Sequence, residues 1–310
     1  MHENEFKVNE ELVHSLLKSQ FPTLANLELS PVLSSGTDNA LFRLGKEYVV
    51  RIPRIEWSPG SNTHGVNKEY LWVPQLAKHL KISISEPIFK GNATEYYPWP
   101  WSITKWNEGH NPEFEKENEY EQLAIDLARF LNELHSVHLK GSAPLSRRGV
   151  PLKNIDEETK QAIKALEHEM DTQVLATLWD KLSETLPWNN EPVWIHGDPL
   201  PGNILIQNNR LSAIIDFADV GLGDPACDLI TAWSLLNAHS RTIFRNHLEN
   251  IDDATWKRGQ GWALSIALII LPYYKNTNSV LTSVANRMIQ QILSDEGFDR
   301  SLKSAIIDKI

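Results

Sequence analysis

The chain has 310 residues, of which 41% are hydrophobic and 23% are charged, and its formal net charge is -10. That acidic balance argues against a nucleic acid partner, because a surface that binds phosphates needs an excess of basic residues. The negative charge is equally compatible with a cationic substrate and with a role in solubility alone. The single cysteine, Cys227, excludes an internal disulfide framework and indicates a reducing compartment.

The sequence predicts no targeting segment and no membrane-spanning helix. Residues 1–11 are polar and acidic and lack the apolar core of a signal peptide. The longest apolar run, residues 262–274, contains Ser265 and Pro272. Because it is shorter than the roughly twenty apolar residues that span a bilayer, we expect a buried helix there and no membrane partner.

The first part of the chain predicts a small antiparallel sheet with one helix. Apolar residues at helical spacing indicate a helix over residues 8–18. Strands are expected at residues 27–33, 40–44, 48–52, 86–90 and 101–105. Gly45-Lys46 is a hairpin turn signal between the second and third strands. Residues 66–79, after the third strand, predict a helix, and Pro74 inside it allows either a kink or a late start of the helix.

From residue 117 onward the pattern is mainly helical. The expected helices are residues 117–137, 156–169, 173–186, 225–238, 252–274 and 280–293. Two short strands, residues 204–207 and 211–215, lie between them and are joined by the turn signal Asn208-Asn209.

This order of elements predicts an α+β chain folded into two lobes. Residues 1–105 would form a small antiparallel β lobe with one helix, and residues 106–310 a larger, mainly helical lobe. The hinge is expected at residues 103–109, with a ligand in the crevice between the lobes.

One segment places chemically useful side chains at short spacing. It is Trp194-Ile195-His196-Gly197-Asp198-Pro199-Leu200-Pro201-Gly202-Asn203, followed later by Ile215-Asp216-Phe217-Ala218. Phosphoryl transfer needs a carboxylate that orients and deprotonates a hydroxyl, and oxygen ligands for the Mg2+ ions that bridge nucleotide phosphates. We predict Asp198 as the catalytic base and Asn203 and Asp216 as magnesium ligands, since Mg2+ needs few protein oxygens. Each residue alone is more typical of a turn or a strand end, but the joint spacing favours catalysis.

A glycine-containing turn at residues 33–39 offers backbone N–H groups and hydroxyls that could bind the nucleotide phosphates. The residues predicted to bind there are Ser34, Ser35, Gly36, Thr37 and Asn39. Any hairpin uses these residue types, so it is the position of the turn in the chain that favours the functional interpretation.

The third strand carries a cation on the face that it shares with Val49. This cation is Arg51, and Glu69 follows it on the predicted helix. A cation held by a helix glutamate and aimed at the α- and β-phosphates is typical of kinases. We therefore predict that Val49, Arg51 and Glu69 belong to the nucleotide site; the alternative is a surface arginine beside Arg54.

Apolar and aromatic residues near the motif allow two interpretations each. Leu205 and Ile215 would form an apolar floor under a purine ring, or they pack in the core. An aromatic run leads into the hinge: Tyr96, Tyr97, Trp99, Trp101 and Trp106. We expect this run to fill the core between the lobes; the alternative is that one member touches the nucleotide base or the substrate.

Three further residues are expected to support the motif. Asp224-Pro225 predicts a helix start, with the aspartate as N-cap and proline in the first turn. Asp228 lies one turn further on, and either aspartate could brace the catalytic loop. His196 is expected as a packed, hydrogen-bonded support and not as a base.

These residues resemble the aminoglycoside phosphotransferase family, which shares its fold with choline kinases and protein kinases. The likeness runs from residue 34 to about residue 271 and is most specific at residues 196–203, 215–217 and 223–229. It implies the roles given above for Asp198, Asn203 and Asp216, contact of residues 103–106, including Thr104 and Trp106, with the nucleotide base, and a cytoplasmic location. At Arg51 the family usually has lysine, and Arg-Ile-Pro looks more like the macrolide-kinase branch.

Two features argue against a protein kinase. Gly197 stands where an arginine would read an activation-loop phosphate, and only seven residues separate Asp216 from Asp224. We therefore expect a monomer that transfers the γ-phosphoryl group of ATP or GTP, with Mg2+, to a hydroxyl of a small molecule, foremost an aminoglycoside-type or macrolide antibiotic. The alternatives are a kinase of a metabolite such as choline or a sugar, and, because of Arg51, a nucleotide-binding pseudokinase without transfer activity.

Overall fold

A computed structural model of the chain describes residues 5–34, 36, 38–55 and 65–297. The strands are β1 Leu29–Pro31, β2 Asn39–Leu44, β3 Tyr48–Pro53, β4 Ser83–Ile84, β5 Pro87–Gly91, β6 Trp101–Lys105, β7 Val193–Ile195, β8 Ile204–Gln207, β9 Arg210–Ile214 and β10 Gly221–Gly223. The helices are α1 Glu10–Gln20, α2 Gly65–Leu76, α3 Glu121–His135, α4 Asp156–Ala165, α5 Thr172–Ser183, α6 Thr231–Ser234, α7 Ala238–His247, α8 Asp253–Tyr274 and α9 Ser279–Asp295. The predicted α+β class is confirmed.

Five strands form the antiparallel sheet that the sequence predicts, in the order β1-β2-β3-β6-β5. The β2–β3 hairpin turns at Gly45, whose φ of 56° lies in the left-handed region that glycine adopts without strain. Arg51 is opposite Ser102 and Val49 is opposite Thr104 in the β3–β6 register. Residues directly opposite in a ladder share a face, so these four side chains lie on one side of the sheet.

The other face of the sheet packs against α1. Val50, Ile52 and Ile103 are fully buried there with Leu16 and Leu17 of the helix. Burial of apolar area of this kind contributes about 25 cal/mol per Å² removed from water. The apolar residues whose spacing predicted α1 are therefore the residues that cover this face of the sheet.

The aromatic run does not fill the space between the lobes, so that prediction is wrong. Tyr97 and Trp101 are fully buried in the core of the sheet and α1, and Trp99 packs against the same core. Alternation along β6 turns Trp101 to the α1 side of the sheet. Gly91 makes room for it, because a Cβ there would lie 2.0 Å from the indole. Of the run, Tyr96 is exposed.

A second core surrounds α8 in the helical part of the chain. Trp262, Leu264 and Leu268 of α8 are buried with residues of α3, α5 and α9. Helix α8 is apolar nearly all round, as expected for a buried helix. Within the described ranges, no helix is long and apolar enough to cross a membrane.

Two small sheets, one of three strands and one of two, support the segment that is predicted to be catalytic. The β8–β9 hairpin turns at Asn208 and Asn209, whose φ values of 53° and 57° fit the predicted two-residue turn. Strand β4 pairs in parallel with β9, and β7 pairs with β10. The segment containing Asp198 and Asn203 therefore runs from β7 to β8, and the segment containing Asp216 runs from β9 to β10.

Two details of the helical prediction are wrong. The expected helix at 225–238 is a 3-10 helix followed by the single turn α6. Helix α7, which was not predicted, begins after the N-cap Asn237 and is mostly polar, so it lacks a clear apolar stripe. Helix α2 includes Pro74 in its last turn and does not start late. The lobe boundary at 105/106 stays a prediction.

Candidate active site

Gly197 and His196 fix the loop that carries Asp198. Gly197 has a φ of 85°, and a Cβ there would lie 2.9 Å from the Cβ of Asp219, so only glycine fits. His196 is fully buried; its Nδ1 accepts from the Asp198 N–H at 3.1 Å, and its Nε2 donates to the Ile215 carbonyl at 3.0 Å. His196 is therefore a hydrogen-bonded support, as predicted.

Asp228 lies beneath the same loop. Its fully buried carboxylate accepts from the N–H groups of His196, at 3.0 Å, and Gly197, at 2.8 Å. The ring of His135, at the end of α3, contacts the same carboxylate at 3.0 Å. Asp224 caps the following turn by accepting from the Ala226 N–H, as predicted. Asp228 thus ties the loop to α3, and Asp224 caps the 3-10 helix that carries Asp228.

Both carboxylate oxygens of Asp198 have partners. Asn203 Nδ2 donates to Oδ2 at 3.1 Å and to the Asp198 carbonyl at 2.9 Å. The guanidinium of Arg148 forms an ion pair with Oδ1 and donates to the Gly197 carbonyl at 3.1 Å. About a quarter of the Asp198 side chain, 27%, remains exposed. A substrate hydroxyl can therefore reach a carboxylate whose orientation is already fixed.

Burial raises the pKa of Asp198 above its ordinary value, although the charge of Arg148 opposes this and Asp219 reinforces it. A general base works best when its pKa approaches the working pH, so the shift suits proton acceptance. Burial alone would lower the pKa of Arg148, but the carboxylates of Asp198 and Asp219 outweigh it and leave the pKa raised. The guanidinium stays charged.

Asp216 reaches the same region from the opposite side through Arg51. The buried guanidinium of Arg51 donates at 2.8 Å to Glu69 on α2 and at 2.8 Å to Oδ1 of Asp216. The structure thus brings together the predicted Arg51 and Glu69 and adds Asp216 to the pair. Asp216 has a φ of 62°, a left-handed conformation that costs a non-glycine residue about 1–3 kcal/mol and is frequent at functional sites.

Asn203 and Asp216 are neighbours that could hold Mg2+. The Ile215 N–H donates to the Asn203 carbonyl at 2.9 Å, which places the two residues side by side. Because Nδ2 of Asn203 is used on Asp198, its amide oxygen is left for a cation. Among the residues described, no group of three His, Cys, Asp or Glu could hold a metal. One carboxylate and one amide oxygen match Mg2+, which takes its other ligands from phosphates and water.

Strand β6 carries polar atoms without partners on the same sheet face as Arg51. In the described part of the chain, Ser102 Oγ, Thr104 Oγ1 and, just after the strand, Trp106 Nε1 are buried without a hydrogen bond. A buried polar group without a partner costs about 1–3 kcal/mol, and a ligand on this face of the sheet could supply the missing partners. The guanidinium of Arg43 lies 3.9 Å from the Trp106 ring centre. Val49 is half-buried on this face.

The apolar pair lies at the β8–β9 hairpin: Leu205 is in β8, and Ile215 directly follows β9. Leu205 is half-buried between the buried Ile204 and Ile206, so alternation turns it away from the core. A Cβ at Gly109, just after β6, would lie 3.2 Å from Leu205, which places Leu205 beside the predicted hinge. Ile215 is also half-buried and directly precedes Asp216. Both side chains are available to a ligand.

The glycine-containing turn is described only in part. The exposed Ser34 accepts from the Gly36 N–H at 3.0 Å, and Asn39 begins β2 opposite Pro53. Ser35 and Thr37, the other two predicted residues of this turn, lie outside the described residues. The phosphate-binding role of the turn stays a prediction.

Sequence reasoning missed a group of charged side chains next to Asp198. Asp219 accepts from Arg147 at 2.9 Å, and its other oxygen lies 3.6 Å from Arg148. Lys68, on α2, is half-buried nearby: burial lowers its pKa, Asp219 opposes this and Arg147 reinforces it. The dipeptide Arg147-Arg148 is the signal in the sequence, but it lies in an irregular segment without a pattern that would place it.

Comparison with known proteins agrees with this geometry. The model of the phosphotransferase enzyme family matches residues 31–263. Over 228 residues, which are 70% of this chain and 72% of the other, the chain is 21% identical to the uncharacterized protein YcbJ of Bacillus subtilis (strain 168). The GDP complex of a mutant of aminoglycoside 2'-phosphotransferase-IIIa has a TM-score of 0.71 at 20% identity, covering 93% of this chain and 99% of that chain. Macrolide 2'-phosphotransferase type I has a TM-score of 0.59 at 15% identity, with 92% and 98% covered.

The structural likeness defines the class of fold, a two-lobed architecture similar to that of protein kinases, as predicted. The family match covers most of the chain and decides its membership. This chain belongs to the phosphotransferase enzyme family, and it is a phosphotransferase. The resemblance to aminoglycoside phosphotransferases is thereby confirmed.

Proposed function

We propose that this enzyme transfers the γ-phosphoryl group of a nucleoside triphosphate, with Mg2+, to a hydroxyl of a small molecule. The observation that carries the proposal is the hydrogen-bonded connection of Asp198, Asn203 and Asp216. Asn203 donates to the Asp198 carboxylate, and its carbonyl accepts from the residue before Asp216. Base and candidate metal ligands therefore occupy one rigid unit, as phosphoryl transfer requires.

In this mechanism, Asp198 accepts a hydrogen bond from the acceptor hydroxyl and takes its proton as the oxygen attacks the γ-phosphorus. The bond from this phosphorus to the β,γ-bridging oxygen breaks, and the nucleoside diphosphate leaves. The raised pKa of Asp198 favours that transfer. Mg2+, held by Asn203 and Asp216, would neutralise charge on the phosphates. Arg51, fixed between Glu69 and Asp216, supplies a second positive charge on the nucleotide side.

Nucleotide binding is supported by the unpaired polar atoms of Ser102, Thr104 and Trp106. They lie at the strand that leads into the predicted hinge, where a purine would offer them partners. Similar solved structures are complexes with GDP or with ADP. We propose that Leu205 and Ile215 contact the face of the base, with either ATP or GTP as donor.

A small acceptor is supported by the short segment after Asp216. The Val220 N–H donates to the Phe217 carbonyl at 3.0 Å, and β10 begins at the next residue and pairs with β7. This leaves no length for an activation segment of the kind that regulates protein kinases. Similar solved structures are complexes with kanamycin and with gentamicin, which define the first acceptors to assay.

The test is Mg2+-dependent consumption of ATP and GTP by the purified protein, with aminoglycosides, macrolides, choline and sugars as acceptors. We expect an acceptor to stimulate consumption, and Asp198→Asn to lower turnover at least about a hundredfold with little change in nucleotide binding. Normal turnover in Asp198→Asn would remove its role as base. Nucleotide binding without transfer to any acceptor would favour the pseudokinase.

A further inference from the structure

Arg148 is held in a fixed position by the hydrogen bonds of its own segment. The Ser146 N–H donates to the Leu222 carbonyl at 2.9 Å, and the Ser146 hydroxyl donates to the Asp219 carbonyl at 2.7 Å. The Arg148 N–H in turn donates to the Ser146 oxygen at 3.1 Å. These bonds fix the backbone of Arg148 against β10 and the residues just before it, so its side chain reaches the site with little further loss of conformational freedom.

The guanidinium of Arg148 uses only part of its hydrogen-bonding capacity. Its Nη1 donates to Asp198 Oδ1 and to the Gly197 carbonyl, and its Nε lies 3.6 Å from Asp219. Its Nη2 has no hydrogen-bond partner among the described residues and is not buried, and 29% of the side chain is exposed. A guanidinium carries its N–H donors in fixed directions, so the two on Nη2 are available to a ligand.

Arg148 contacts Asp198 on the side that faces away from the candidate magnesium ligands. Asn203 donates to Oδ2 of Asp198 at 3.1 Å, whereas Arg148 contacts Oδ1. In an in-line transfer, Mg2+ and the phosphates lie on one side of the attacking oxygen, so the rest of the acceptor extends to the other side. Because Nη2 shares a planar group with Nη1, it lies within about 5 Å of Oδ1. A hydroxyl bound to Asp198 and an oxygen on the next carbon can span that distance.

We propose that the acceptor carries an uncharged oxygen on the carbon next to the phosphorylated hydroxyl, as in a 1,2-diol or its monoether. Nη2 of Arg148 donates to this oxygen while Asp198 accepts from the hydroxyl. Asp198 and Asp219 are each paired with an arginine, so this side of the site needs no further charge. An ammonium on that carbon has only donors and would face the donors of Arg148. The inference rests on the proposed function, because Asp198 must be the group that meets the acceptor.

Small alcohols that differ only at the neighbouring carbon test this proposal. They are cyclohexanol, trans-1,2-cyclohexanediol, trans-2-methoxycyclohexanol and trans-2-aminocyclohexanol, each incubated with the protein, Mg2+ and ATP or GTP at neutral pH, where the amine is protonated. Phosphorus NMR measures the phosphate ester, and the release of nucleoside diphosphate is measured in parallel. We expect kcat/KM for the diol and the methyl ether to exceed that for cyclohexanol at least about tenfold. The amino alcohol should be no better than cyclohexanol.

The matched variants are Arg148→Met, which removes every donor of the side chain, and Arg245→Met, at an exposed arginine paired with Asp253. In Arg148→Met the ratio of kcat/KM between the diol and cyclohexanol should fall to less than about threefold, whereas Arg245→Met should keep it. A purely structural role of Arg148 would lower both kcat/KM values together and leave their ratio unchanged.

Four outcomes would overturn the proposal: equal use of cyclohexanol and the diol, a preference for the amino alcohol, transfer to none of the alcohols while nucleotide is still consumed, or an unchanged ratio in Arg148→Met. The comparison of the alcohols uses the unchanged protein, so it decides the matter even if Arg148→Met does not fold. Failure of the proposed function differs from these outcomes, because no nucleotide would then be consumed with any acceptor.

Discussion

Asp198 and Asp216 are joined through Asn203 but are held by different means. Asp198 is fixed by groups of its own loop and of the turn beneath it, chiefly His196 and Asp228. Asp216 depends on Arg51, which is 165 residues away on the β-sheet, and on a left-handed backbone. The helical part of the chain therefore positions Asp198, whereas the position of Asp216 also depends on a residue of the β-sheet.

The largest expected effect comes from removing the support beneath Asp198. In Asp228→Asn, the amide oxygen can accept from only one of the two buried N–H groups. The amide NH2 group then faces the second N–H, to which it cannot bond. We expect a loss of about 3 kcal/mol in the free energy of unfolding and about a hundredfold loss of turnover from misplacement of Asp198. Urea unfolding and steady-state kinetics measure both.

The matched control for that variant is Asp180→Asn, an exposed aspartate paired with Lys160 at 3.4 Å. Its free energy of unfolding should change by less than about 0.5 kcal/mol. If Asp228→Asn were as stable and as active as this control, the loop would not need its support.

Arg51→Lys tests the other side of the comparison. A lysine keeps the charge but cannot span Glu69 and Asp216 with one planar fork, so one carboxylate loses its partner. We expect a loss of about 2 kcal/mol in stability and an increase in the KM for nucleotide, with less effect on the acceptor KM. Arg245→Gln, which breaks an exposed ion pair, should cost less than about 1 kcal/mol. If the KM for nucleotide did not change, Arg51 would not be a residue that binds the nucleotide phosphates.

Arg148→Gln should have a smaller effect that depends on pH. It removes the charge that lowers the pKa of Asp198, while burial and Asp219 continue to raise it. The acid limb of the kcat/KM profile should therefore move to higher pH, and less so in Arg148→Lys. Lys153→Gln, at an exposed ion pair, should leave the profile in place. A shift to lower pH, or none, would show that Arg148 does not act on Asp198.

The raised pKa of Asp198 also makes the free energy of unfolding depend on pH. Because the folded protein raises the pKa of Asp198, the folded state binds more protons than the unfolded state between the ordinary and the raised pKa. Stability from this group therefore falls as the pH rises through that interval. In Arg148→Gln the gap between the ordinary and the raised pKa of Asp198 becomes wider. The free energy of unfolding at acidic pH and at neutral pH should therefore differ more than in the unchanged protein.

Local spacing made much of the fold and part of the site predictable. The Asn208-Asn209 turn specifies the β8–β9 hairpin, and the spacing from Asp198 to Asn203 places an amide beside a carboxylate. The roles of these residues stay predictions. Arg148 and Lys68 could not be found this way, because their neighbours come from segments far apart in sequence. Strands β7 and β10 have three residues each, too few for a periodic signal.

The short strand β4 has a mechanical consequence. It comes from the sheet-forming part of the chain but pairs with β9 of the catalytic hairpin, and the Asp216 N–H donates to Ser85 directly after it. If the cleft opens and closes around nucleotide, this pairing is the natural pivot, because it joins the two parts beside the hinge. Points near a rotation axis move least. Asp216 would thus keep its place through the catalytic cycle.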